Sequence, residues 1–185
     1  MAESCCSHCG QRGAEVVSAL HWDDNDRLVG RLNEARAASD WRGMMKLEGR
    51  IEELMAHRPD ADCDAILAMF SYSHSSGFAE TSSTHHARSF IKLEERRIDY
   101  LGKLQRFRDQ GSCMCGIGCK LLFLERKTEA YSYFQRARDV GAAHGFFSLE
   151  SHACSFLGSA SIDEGRTEEG LELLRNALAA AKLNE

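Results

Sequence analysis

The stretch FLGSASIDEGRTEEGLELLRNALAAAK, residues 156–182, reads as a helix, a glycine break and a second helix. Alone it is a generic helical hairpin, and what decides the fold is whether it recurs. Leu157 and Gly158 fall on its first helix, Gly165 at the turn, and Gly170, Leu174 and Ala177 on its second. Moving back 40 residues, to IGCKLLFLERKTEAYSYFQRAR, puts Ile117, Gly118, Glu125, Ala130, Phe134 and Ala137 at the same offsets. A size pattern repeated at fixed period signals a stacked architecture. Gly118 and Gly158 let the second helix of a pair approach the first, while Phe134 and Leu174 fill space between pairs.

The rest of the chain agrees with a helical reading. It has 185 residues, 43% of them hydrophobic and 28% charged, with one proline, Pro59. That composition suits a globular protein rich in helix formers and excludes a disordered one. A net charge of −5 leaves no basic footprint, so nucleic acid is not expected as a partner. Arg96, Arg97, Lys103, Arg106 and Arg108 interleave with Glu94, Glu95, Asp99 and Asp109, as on a solvated helix face. No apolar run of about 18 residues is present, so no membrane span is expected. The start, MAESCCSHCG, lacks a basic and apolar leader, which points to a cytoplasmic chain with reduced thiols.

Working outward, residues 1–24 read as a cysteine-rich tail with one short helix, and 25–185 as a single helical-repeat domain. Its hairpins fall at about 25–57, 62–107, 112–140 and 146–182, eight helices in four pairs. After a break at Ser39-Asp40, Met44, Leu47, Ile51 and Leu54 share one face of a helix that ends before Pro59. Asp60 or Asp62 is placed to cap the next short helix, and SSGFAETSST reads as a loop. A long helix over 85–107 then ends near Gly111. Residues AAAK near the end suit the polar cap of a stack.

Leu-Gly on a first helix, a turn glycine, then Ala, a bulky residue and Ala on a second resembles the tetratricopeptide repeat. The resemblance covers 112–182 in the longer variant of about 40 residues, and is weak over 25–75, where SDWRGMM and HRPD match only the turn aromatic and terminal proline. It implies a short α-solenoid of stacked antiparallel hairpins, with a compact helical bundle as the alternative. In that family the first helices line a concave surface that holds a partner segment. Carried over, the lining is Ser112, Cys115, Cys119, Leu122 and Phe123, then His152, Ser155, Ser159, Ile162 and Asp163. These side chains are small or apolar, so the implied partner is an apolar protein segment. Alternatively, Leu122 and Phe123 pack under neighbouring helices and no groove is open.

No nucleotide, zincin or hydrolase motif occurs; CGIGCK contains GxG, but Leu121 stands where a third glycine would be. Binding rather than catalysis is therefore expected, with no cofactor. The alternative is a small zinc- or thiol-dependent protein using its eight cysteines. Cys6 and Cys9 have the C-x-x-C spacing that grips zinc, with Cys5 or His8 beside them. This start resembles the opening knuckle of an MYND-type zinc finger, whose second half is missing. Cys115 and Cys119, one helical turn apart and near Cys113, form with His152 a second conceivable ligand set. The competing role is packing, since cysteine behaves as a small hydrophobe. Trp22 and Trp41 are expected to seal helix junctions, His85 and His86 to be exposed near a helix start, and Phe146 and Phe147 to be buried.

Overall fold

A computed structural model describes residues 27–56 and 58–183, and every regular element among them is helical. The short helix expected within 1–24 lies outside the described residues. The chain is all-α, its helices packed in successive pairs, and it forms two compact units that divide after Leu104.

In the first unit, α1 (Arg27–Ala37) leads through Ser39, at φ 52°, to α2 (Trp41–Met45), a 3-10 turn (Glu48–Arg50) and α3 (Ile51–Met55). The one helix expected after Ser39-Asp40 is thus broken. Asp40 caps α2 by accepting from the Gly43 amide at 2.8 Å, and Gly49 lies exposed where no packing offsets its weak helix propensity. The apolar phase survives the break, for Met44, Leu47, Ile51 and Leu54 are all buried. They join Leu32, Ile66, Leu67, Phe70 and Leu93 in one core, with Trp41 packed against it.

α4 (Asp60–Thr81) and α5 (Thr84–Lys103) correct three expectations. Asp60 and Asp62 do not cap α4; Pro59 holds that position, and the carboxylates sit in the first turn, where the helix dipole favours them. SSGFAETSST is not a loop, because α4 runs on to Thr81 and only Ser82 and Ser83 join it to α5. The hydroxyls of Ser73 and Thr81 donate to carbonyls one turn back, Met69 at 2.9 Å and Gly77 at 2.7 Å, so they are satisfied inside the helix. Gly77 is a contact point: a Cβ there would lie 2.7 Å from Nε2 of His86 on α5.

The basic run is not simply solvated. Arg97 reaches Asp64 on α4 at 2.9 Å and Glu94 at 2.8 Å, and both carboxylates are buried. Glu94 also accepts from Ser71.

The second unit comprises α6 (Phe107–Phe123), α7 (Lys127–His144), α8 (Phe147–Asp163) and α9 (Thr167–Lys182), each starting 20 residues after the one before. Its turns repeat one backbone shape: Gln105, Glu125, Gly145 and Gly165 have φ of 55°, 59°, 67° and 81°. At three of the four, the next residue is an arginine paired three residues on, Arg106 with Asp109, Arg126 with Glu129 and Arg166 with Glu169. Gly111, expected as a stop, lies buried inside α6, where a Cβ would meet Leu149 Cδ2 at 2.2 Å. The helix before it ends at Lys103 instead, because the left-handed residue of the turn is Gln105.

α6 packs on α7, α7 on α8, α8 on α9, and α6 also touches α8. A Cβ on Gly118 would lie 2.6 Å from the Phe134 ring, and one on Gly158 2.8 Å from Leu174 Cγ. Gly118 and Gly158 are thus close-approach points within pairs. Phe134 also bridges to the next pair, stacking on Phe156 of α8 at 4.6 Å. Ala130, Ala137 and Ala177 are buried at the matching positions. The outer side of α9 is less polar than a cap should be, since Leu171 is 43% and Leu178 58% exposed.

Candidate functional site

Two places in the described chain gather side chains suited to recognition or ligation, one in each unit. In the second unit the helical period brings Ser112, Cys115, Cys119, Leu122 and Phe123 onto one stripe of α6, and His152, Ser155, Ser159, Ile162 and Asp163 onto the matching stripe of α8. The stripes are offset by 40 residues, and Arg108 at the start of one donates to Ser148 at the start of the other at 3.4 Å. Phe123, His152, Ser159 and Asp163 are exposed; Ser112, Cys119, Leu122, Ser155 and Ile162 are half-buried. Cys115 alone is buried, at 7%. Ser112 and Ser155 donate to carbonyls one turn back, Arg108 at 3.0 Å and Ser151 at 2.9 Å. The His152 ring stacks against Phe156 at 6.1 Å.

A second feature of this unit lies elsewhere. A cleft of about 230 Å³ opens among α7, α8 and α9, lined by polar side chains including Arg138, Arg166, Glu169 and Glu172. It contains none of the ten stripe residues.

The cysteines do not make a metal centre in the described chain. Cys113, Cys115 and Cys154 are buried and Cys119 half-buried, and burial pushes the Cys154 thiol up, away from the reactive thiolate. Cys113, Cys115, Cys119 and His152 do not bring three ligand atoms together. Helix spacing sets Cys115 and Cys119 on one side of α6, but helix packing turns Cys115 inward. Cys5, Cys6, His8 and Cys9 lie outside the described residues, as does Trp22.

In the first unit a different cluster forms. Among the described residues, one set of three or more histidine, cysteine or carboxylate side chains has ligand atoms within 4.8 Å of one another: His74, His85 and His86. His74 comes from the middle of α4 and is fully buried, whereas His85 and His86 open α5 just after the Ser83 cap, which accepts from the His85 amide at 3.2 Å. Nδ1 of His74 and Nδ1 of His86 are 3.0 Å apart. Glu48, from the 3-10 turn, sets Oε1 2.9 Å from Nε2 of His74. Hydrogen bonding from His74, then the neighbouring imidazoles, holds the Glu48 carboxyl below its ordinary range against the opposing effect of burial. Burial, and then the adjacent His74 and His85, hold His86 below the ordinary histidine value, so it favours the neutral ring.

The expectation that His85 and His86 are both exposed therefore holds for His85 only; His86 is 9% exposed. A signal was present, in that HH follows a hydroxyl cap and a histidine stands 12 residues upstream. The composition of SSGFAETSST hides it, because a loop there fixes no geometry between His74 and the pair, whereas the continuous α4 does. No protein-family model, curated protein or solved structure matches this chain.

Proposed function

We propose that the second unit is a protein-interaction module of tetratricopeptide-like design, acting inside the cell by binding rather than by catalysis. The observation that carries this is the register of α6 and α8. The two helices touch, with Arg108 of one donating to Ser148 of the other, which supports a design in which positions 40 residues apart recur in neighbouring rows. An extended or helical partner segment needs such rows, because its own side chains recur at fixed rise. The chemistry selects the partner. Between Arg108 at one end and Asp163 at the other, the rows carry small hydroxyls, the Cys115 and Cys119 thiols, the exposed His152 ring and the apolar Leu122, Phe123 and Ile162. An apolar segment would bury Phe123, already 42% exposed, without stranding a charge.

Affinity capture from the native cell, with the wild type and a Leu122→Glu, Phe123→Glu double variant, tests this. The variant should keep its helical circular dichroism and lose the partners recovered by the wild type. Recovery of the same partners by a folded variant sinks the assignment.

A further inference from the structure

The geometry points to a binding site for a divalent transition metal of the zinc class in the first unit, with His74, His85 and His86 as its protein ligands. Three imidazoles are the donor set that zinc and its neighbours prefer over magnesium or calcium, which take oxygen. Zinc–nitrogen bonds of about 2.0–2.1 Å set neighbouring nitrogens of a tetrahedron about 3.3–3.4 Å apart. Nδ1 of His74 and Nδ1 of His86 stand at 3.0 Å, already close to such an edge. His85 has its ligand atom within 4.8 Å of both, and as the exposed member of the set it can close the remaining gap by side-chain rotation.

The surroundings hold these rings in place. His86 is packed against α4 at Gly77, where a Cβ would come within 2.7–3.0 Å of Nε2 and its two neighbouring ring atoms. The His86 and Trp41 rings meet edge to face, with centroids 5.8 Å apart. His74 is packed in the core, where its buried Nε2 lies 2.9 Å from Glu48 Oε1 without meeting hydrogen-bond geometry. A carboxylate on the far nitrogen is the usual device that fixes a ligating histidine, because it keeps that nitrogen protonated and the other lone pair turned to the metal. Glu48 occupies that place at 2.9 Å. Three protein ligands leave a fourth position to water, reached past the exposed His85. The bound ion would cross-link α4 to α5 beside their two-residue turn.

The competing account is a metal-free cluster, in which Nδ1–H of His86 donates to Nδ1 of His74. Cobalt(II) titration of chelator-treated, full-length protein separates the two, with Cys5, Cys6 and Cys9 changed to serine so that the cysteine-rich start contributes no thiolate. The assignment expects one equivalent bound with a tetrahedral d–d spectrum, displaced by zinc(II). His85→Ala should weaken binding about tenfold or more, and a zinc-dependent rise in Tm should vanish with it. His85 is exposed, so this variant keeps its fold even where His74→Gln does not. Absence of binding in the protein with Cys5, Cys6 and Cys9 changed to serine, or unchanged cobalt affinity in folded His85→Ala, overturns the assignment.

Discussion

At the scale of single residues, glycines of the same type have opposite roles, and size explains why. A Cβ on Gly158 would lie 2.8 Å from Leu174 Cγ and 2.9 Å from the Gly170 carbonyl oxygen, a backbone atom that cannot step aside. Gly158→Ala should therefore destabilise the second unit by about 1–3 kcal/mol. Gly30, on the exposed side of α1, has nothing among the described residues within 4 Å of such an atom. Gly30→Ala should stabilise by about 0.5–1 kcal/mol, because a flexible residue is removed from a helix interior. Urea midpoints of the two variants check both signs, and destabilisation by both would refute the contrast.

His86 supplies a pH dependence. Its folded pKa lies below the ordinary 6.5, so on acidification the unfolded chain takes up this proton first. Stability from the neutral ring is complete above about pH 6.5 and declines below it. Glu48, also lowered, keeps its contribution until the carboxylate range and then loses it in the same direction. With chelator present, the denaturation midpoint should hold between about pH 8 and 7 and fall from about 6.5 downward. A midpoint flat to about pH 5 would show that His86 titrates normally in the fold.

At the scale of elements, α4 and α5 are joined by more than apolar contact. Arg97 is shared by two buried carboxylates, Asp64 and Glu94. Removing the cation takes its charge from two buried carboxylates at once, so Arg97→Met should lower stability by about 3–5 kcal/mol. Replacing all three partners together, with Asp64→Asn and Glu94→Gln added, should recover much of that loss. Thermal denaturation of the single and triple variants decides, and equal stabilities would mean the network is solvated. Charge patterning could not reveal this, since Arg97 and Arg96 read alike in sequence while only Arg97 turns toward α4. Element boundaries failed for a similar reason. Gly111 and SSGFAETSST carry the composition of breaks, but in the fold their small side chains admit Leu149 and His86. A small residue is the same letter whether it ends a helix or admits a neighbour to it.

At the scale of the whole molecule, each unit assembles from helices adjacent in sequence, so much of the architecture is encoded locally. Helical class, the apolar phase of Met44, Leu47, Ile51 and Leu54, and the 40-residue correspondence of Gly118 with Gly158 and Ala137 with Ala177 were all legible, and the buried positions follow them. The equal lengths of α6 and α8 were legible too, because the 40-residue offset recurs from one helix to the other. The sequence by itself determined what depends on the 3.6-residue turn, namely which positions share a helix side and where the size pattern recurs. Only the tertiary structure decided that Cys115 turns inward, that Arg97 is enclosed between carboxylates, and that His74 meets His85, His86 and Glu48. Those meetings depend on how far one helix continues and how its neighbour rotates against it, and packing of side chains distant in the chain sets both.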